Sequence, residues 1–137
     1  MIIVSAAVIV NDLRQILICQ RGAGGSCEYL WEFPGGKLEK GETPVDCLAR
    51  ECLEELGVTV EVGQFLGALT HSRSGLDFQL IFYFARIVGG EIIAKVHRQT
   101  KWIDFSEIGQ YELCPADKDA LRLIGFYFFL DKNKIKH

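Results

Sequence analysis

One segment constrains this chain more than any other: the turn Pro34-Gly35-Gly36, followed by a well-marked amphipathic helix. Thr43 suits the N-cap, Pro44 the first helical position, and Asp46 stands three residues after the cap. Val45, Leu48, Ala49, Cys52 and Leu56 recur at i, i+3, i+4, i+7 and i+11, which predicts a buried stripe. Gly57 stops the helix as a C′ residue does. Glu51, Glu54 and Glu55 stand at i, i+3 and i+4, so their carboxylates share one helix face and repel each other. Arg50, placed to pair with Glu54, is the one cation available to offset them. A hard divalent cation would resolve the repulsion. Oxygen-only ligation with several waters retained is what magnesium prefers, with manganese able to stand in. Gly35 and Gly36 permit close backbone approach, so a carbonyl of that turn could face the metal. Glu39 and Glu42 add negative charge beside it.

The flanking sequence is rich in strand signals. Ile2–Val10 and Gln15–Cys19 are β-rich runs separated by Asn11 and Asp12, which reads as a hairpin. Gly22, Gly24, Gly25 and Ser26 make a flexible loop, and Leu30–Phe33 is a short strand. Val58–Leu69 and Phe78–Val88 read as strands, Gly89-Gly90 as a turn, Glu91–Ala94 as the start of another strand, and Lys101–Asp104 as a last one. Pro115–Leu130 reads as a C-terminal helix with Leu121, Ile124 and Phe128 on one face. In Phe126-Tyr127-Phe128-Phe129 a buried helix face is favoured over a dimer patch. Strands on both sides of one central helix predict an α/β (α+β) fold, a mixed sheet with helices on its faces. The chain has 137 residues, which fits a single domain spanning 1–137.

Charge and cysteine usage narrow the function classes. The formal net charge is −3, without the basic surplus of a nucleic-acid binder. The apolar N-terminal run is about ten residues with no basic leader, and Phe126–Leu130 is also too short to span a bilayer. The five cysteines contain no Cys-x-x-Cys pair and the histidines (71, 97, 137) offer no matching zinc spacing. They read as free thiols in a reducing cytoplasm, with Cys19, Cys47 and Cys52 in the core. Trp31 and Trp102 read as packing residues, and the isolated His71 and His97 as surface or structural ones.

The segment GKLEKGETPVDCLARECLEELGV matches the Nudix box at Gly36, Glu42, Arg50, Glu51, Cys52, Glu54, Glu55, Gly57 and Val58, with cysteine in one apolar slot. Gln20-Arg21, Trp31-Glu32-Phe33-Pro34-Gly35-Gly36, Trp102 and Pro115-Ala116-Asp117 extend the likeness. The chain resembles the MutT-like branch of the Nudix hydrolases, which includes 8-oxo-dGTP diphosphatases and CTP pyrophosphohydrolases. The resemblance implies the αβα-sandwich Nudix fold. It also implies a metal site of Glu51, Glu54, Glu55 and the Gly36 carbonyl, with catalytic parts for Glu51, Glu54, Arg50 and Glu42. Glu51 would orient or deprotonate the attacking water or share in metal binding; Arg50 would hold the glutamates; Glu42 would brace the loop. Arg21 would contact phosphate, Phe33 line the base pocket and Asp117 read a base edge, although Asp117 also suits a helix cap.

The chain departs from the branch before Trp102, where related sequences often carry another glutamate. Here the run is Val96-His97-Arg98-Gln99-Thr100-Lys101, and Gln99 is the expected neutral substitute. The expected activity is magnesium-dependent hydrolysis of 8-oxo-dGTP or a related triphosphate to the monophosphate and pyrophosphate. The alternatives are a CTP or other pyrimidine triphosphate pyrophosphohydrolase, and a domain that only binds nucleotide. The expected partner is a small-molecule nucleoside triphosphate, with no nucleic acid polymer and no membrane, in a monomer or homodimer.

Overall fold

The computed structural model describes residues 1–134, with side chains described up to 126 and at 128. The N-terminal apolar run forms β1 (Ile2–Ile9), and the next run forms β2 (Gln15–Gln20). They do not make the expected hairpin. Asn11 Oδ1 accepts from the amides of Leu13 (3.0 Å) and Gln15 (2.9 Å), which closes the turn. Beyond the single bridge Val10–Ile16 the strands part into different sheets. The reason lies in stronger partners. β1 takes an eight-residue parallel ladder, Ile2–Phe78 to Ile9–Ala85, with the long strand β6 (Leu76–Gly89).

The remaining strands are β3 (Trp31–Glu32), β4 (Gly35–Lys37), β5 (Thr59–Arg73) and β7 (Gln99–Asp104). One sheet is mixed, in the order β4-β1-β6-β5; the other is antiparallel, β3-β2-β7. The helices are α1 (Pro44–Leu56), α2 (Pro115–Asp119) and α3 (Leu121–Lys134). β1 and β2 are buried on both faces, so their unbroken apolar runs feed two cores. Ala7, Ile9, Leu17 and Cys19 pack with Leu48, Cys52 and Leu56 of α1. Ala6, Val8, Ile16 and Ile18 pack with Phe82, Ala120 and Ile124 on the opposite side. The result is the expected mixed α+β architecture with helices on both faces.

Two further expectations are corrected. Glu91–Ala94 is not a strand: its segment is an irregular strap whose amides satisfy carbonyls at the end of α1, Ile93 N–H to Leu56 O (2.9 Å) and Lys95 N–H to Glu55 O (3.1 Å). The C-terminal helix is divided at Ala120 into α2 and α3. Ile124 is buried, Leu121 and Phe128 are half-buried against the same core, and Phe126 is exposed. The side chains of Tyr127 and Phe129 lie outside the described residues. The five cysteines are free thiols and all are buried. Among the described residues no helix is long and apolar enough to cross a membrane.

Gly35 is where the fold is tightest. A Cβ there would lie 2.0 Å from the Ser5 carbonyl oxygen, at φ +156°. That contact is backbone to backbone, so nothing can swing aside. Gly35→Ala is expected to destabilise by about 2–4 kcal/mol in urea unfolding, combining overpacking with strain. A change within about 0.5 kcal/mol, as for an ordinary surface substitution, would contradict this account of β4.

Candidate active site

The local start of α1 follows its sequence. Thr43 Oγ1 accepts from the Asp46 amide at 3.1 Å, Pro44 opens the helix, and Gly57 at φ 70° donates to Leu53 O. The buried stripe is shifted from the expected one. Cys47, Leu48, Cys52 and Leu56 are buried, while Val45 and Ala49 are exposed. Cys47, Glu51 and Glu55 therefore run along the edge that faces β4, one helical turn apart.

That edge meets Gly35 and Gly36, which stand in β4 and not in the turn expected for Pro34-Gly35-Gly36. The Gly35 amide donates to Glu55 Oε1 at 3.3 Å, and Cys47 Sγ donates to the Gly36 carbonyl at 3.4 Å. A Cβ on Gly36 would lie 2.5 Å from the Glu51 carboxyl, so glycine is what lets β4 and the helix close together. The three glutamates are not equivalent. The Glu51 side chain is 15% exposed and the Glu54 side chain 58%, which puts Glu54 on the rim.

Arg50 ties this acidic group together. Its Nε and Nη2 donate to the two oxygens of Glu42 (2.6 and 3.0 Å), and its Nη1 donates to Glu51 (2.9 Å) and Glu54 (3.1 Å). Nη2 also donates to the Lys37 carbonyl at 3.2 Å, and Glu39 lies 3.5 Å from Nη1. The expected Arg50–Glu54 pair is thus one arm of a hub. Glu42 adds a bond from the Glu39 amide at 2.8 Å, which closes the loop before the helix. Hydrogen bonds from Arg50 hold the Glu42 carboxyl down at about 2, and the same bonds push the guanidinium up. Glu51 moves the other way, raised by burial. Burial is also the main cause that pushes Glu55 up to about 7; neighbouring Glu51 and Glu32 add to it and His97 opposes it. These oxygen donors, crowded and short of positive charge, fit a hard divalent cation.

A cavity of about 260 Å³ opens beside β4, with Arg21, Phe33, Gly36, Glu55, Arg73 and Asp117 among its walls. Phe33 is 3% exposed and sits edge-on to Phe82 at 6.5 Å, so it serves the core and the cavity together. Asp117 is 7% exposed. It lies in the first turn of α2, but its Oδ1 accepts across the chain from the Phe33 amide at 3.2 Å, so it is not a helix cap. Burial raises its carboxyl to about 7. Arg21 borders the cavity while paired to Glu32 at 3.1 Å.

Sequence reasoning missed Glu32 and His97. His97 is buried, with Nε2 donating to Glu32 Oε2 at 2.9 Å. The strap places it there, held by Arg98 N–H on Gln20 O at 2.8 Å. Gln99, the expected substitute for a late acid, instead donates to Gln20 at 2.7 Å across the exposed start of the β2–β7 ladder. The residue of this loop whose field reaches Glu55 is His97. A buried histidine before a strand has no periodic signal, so only its place two residues from Gln99 could have drawn attention to it.

The NUDIX domain family matches residues 1–124. The chain belongs to the Nudix family. It is 38% identical over 117 residues to the CTP pyrophosphohydrolase of Escherichia coli, covering 85% of this chain and 86% of that protein. It is 36% identical over 122 residues to a putative 8-oxo-dGTP diphosphatase 2 of Mycobacterium tuberculosis, covering 85% and 82%. The solution structure of the E. coli ORF135 protein superposes with a TM-score of 0.79 at 34% identity, covering 96% of this chain and 91% of that one. The fold is therefore a Nudix fold of the MutT-like kind, and the chain is a hydrolase acting on phosphorus anhydrides. Nudix hydrolases generally use a divalent metal, in keeping with the oxygen donors around Gly35 and Gly36.

Glu55 and Asp117 both sit near 7, above their ordinary values of 4.5 and 3.8. The folded, metal-free protein thus holds protons that the unfolded chain has released. Their contribution to stability is full below those ordinary values and is lost as the pH rises through about 7. Urea midpoints in EDTA should show Glu55→Gln and Asp117→Asn gaining on the unsubstituted protein between pH 5 and pH 8. Parallel curves for all three would remove this account of both carboxyls.

Proposed function

We propose that the chain is a magnesium-dependent nucleoside triphosphate pyrophosphohydrolase, acting on 8-oxo-dGTP or a related triphosphate. The observation that carries this reading is the closure of Glu51 and Glu55 onto Gly35 and Gly36 of β4, beside a cavity that Asp117 also lines. Glu54, Glu55 and the Gly36 carbonyl would hold the metal, which when bound neutralises charge on the phosphoryl oxygens.

The chain's own residues supply the rest. Arg21 would meet the phosphates from the cavity wall. Phe33 offers an apolar wall to the base, and Asp117 reads its edge. Glu51 is tied to Arg50 through Oε1, and its Oε2 has no partner among the described residues. It orients the attacking water and accepts its proton. The water oxygen bonds to a phosphorus of the triphosphate chain, the bridging P–O bond breaks, and monophosphate and pyrophosphate leave. Arg50 and Glu42 keep the glutamates from drifting apart as charge develops.

A second substrate reading is CTP or another pyrimidine triphosphate. It is favoured by the likeness to the E. coli CTP pyrophosphohydrolase and by the buried carboxyl of Asp117 in the cavity wall. Pyrophosphate release with magnesium, across canonical and oxidised triphosphates, nucleotide sugars and dinucleoside polyphosphates, separates the readings. Turnover is expected on 8-oxo-dGTP or CTP. Glu55→Gln is expected to lower kcat by roughly 10²–10⁴-fold without unfolding the chain. No turnover on any triphosphate, or a fully active Glu55→Gln, would overturn the proposal.

A further inference from the structure

Two carboxylates meet in the wall of the cavity. Ligand atoms of Glu32, Asp117 and Cys114 all lie within 4.8 Å of one another. Their surroundings differ. Glu32 has both oxygens engaged, Oε1 by Arg21 at 3.1 Å and Oε2 by His97 Nε2 at 2.9 Å. These partners come from the end of β2 and from the strap, and β3 carries Glu32 between them. Among the described residues Asp117 has no side-chain donor: its carboxyl is met by backbone amides, that of Phe33 on Oδ1 and its own. The titratable groups that face it are Glu32 from β3, Cys19 and Arg21 from β2 and its end, and Cys114 ahead of α2, with Cys27 beside Cys114. His71 and Arg73 of β5 border the same cavity. Arg21, the cation that would serve Asp117, is already bonded to Glu32.

Like charges this close in a buried setting do not both ionise cheaply. Glu32 has the donors, so Asp117 is the one that keeps a proton. Burial and then the Glu32 charge push it up to about 7. A cation held by the same three side chains fits less well, because both Glu32 oxygens are already in use.

We propose that Asp117 reads the base as a neutral carboxylic acid, kept so by the clamped Glu32 carboxylate, and that it therefore meets a base edge with one acceptor beside one donor, as cytosine offers at N3 and N4, rather than an edge of two adjacent donors. A neutral acid donates from one oxygen and accepts on the other, whereas a carboxylate only accepts and would set lone pairs against cytosine N3. The inference rests on the reading of Asp117 as the base reader, and it deepens that reading by assigning the side chain's protonation state. It makes Glu32, Arg21 and His97 positioning residues, acting on the base through Asp117.

The test combines two measurements. The first is the ¹³C shift of the Asp117 carboxyl in the unsubstituted protein, followed through a pH titration without nucleotide. A midpoint near 7 is expected; a midpoint close to the ordinary 3.8 would overturn the inference. The second is the Kd of α,β-methylene CTP in magnesium from pH 6 to 8.5. Binding to the unsubstituted protein should weaken above pH 7, approaching about tenfold per pH unit, as loss of a single proton requires. Asp117→Asn should lack this fall. Glu32→Gln should move it to lower pH. If the unsubstituted protein and Asp117→Asn show the same pH dependence, the inference fails. Hydrolysis of CTP in that case would leave the proposed activity standing, while absence of any triphosphate turnover would remove the activity and not the titration.

Discussion

The structure of the acidic helix depends on Arg50. One guanidinium reaches Glu42, Glu51 and Glu54 and the Lys37 carbonyl, with Glu39 just beyond. A planar, permanently charged fork can serve this many oxygens; a lysine ammonium, a point charge on a flexible stem, cannot hold the same geometry. With Arg50 in place, α1 can carry its glutamates on one edge and bury Leu48, Cys52 and Leu56 on the next. Glu51 and Glu55 stay above the ordinary range, chiefly because they are buried, with neighbouring carboxylates adding to it. That crowding of acidic groups is what makes a divalent cation welcome there.

The sheets then decide what faces this edge. β4 lies so close to β1 that only glycine fits at Gly35, and Gly36 is matched in the same way to the Glu51 carboxyl. The strap after β6 bonds to the last carbonyls of α1 and carries His97 to Glu32. Opposite charges and close backbone contacts thus set the hydrolytic end, while a buried carboxylate pair sets the base end. Arg21, on the cavity wall and paired to Glu32, links the two.

Much of this was legible in the sequence where the signal is local. Thr43, Pro44 and Gly57 mark the ends of α1 because caps and left-handed glycines act within one turn. The spacing of Gly36, Glu42, Arg50, Glu51, Glu54 and Glu55 pointed to a cation and phosphate site before any coordinates. What the sequence hid is long-range. β1 and β2 look like a hairpin because their turn is well made, yet partners more than fifteen residues away win both strands. Val45 and Ala49 fit the helical period as well as Cys47, and only the position of β4 decides which side is covered. Glu32 and His97 are 65 residues apart, and neither carries a motif of its own beyond the likeness around Glu32. The Asp117 carboxyl could be read as a cap or first-turn acid and as a reader; it stands in the first turn of α2 without capping it, and accepts across the chain from the Phe33 amide.

The account's central claim is that α1 presents a carboxylate edge in need of a divalent cation. Calorimetric unfolding at pH 8 with and without magnesium tests it directly, because a cation that binds only the folded edge must raise Tm. The account predicts a rise with magnesium that is larger at pH 8 than at pH 5, where Glu55 holds its proton, and that is lost in a Glu54→Gln, Glu55→Gln double variant. A Tm indifferent to magnesium, or an equal rise in the double variant, would contradict it.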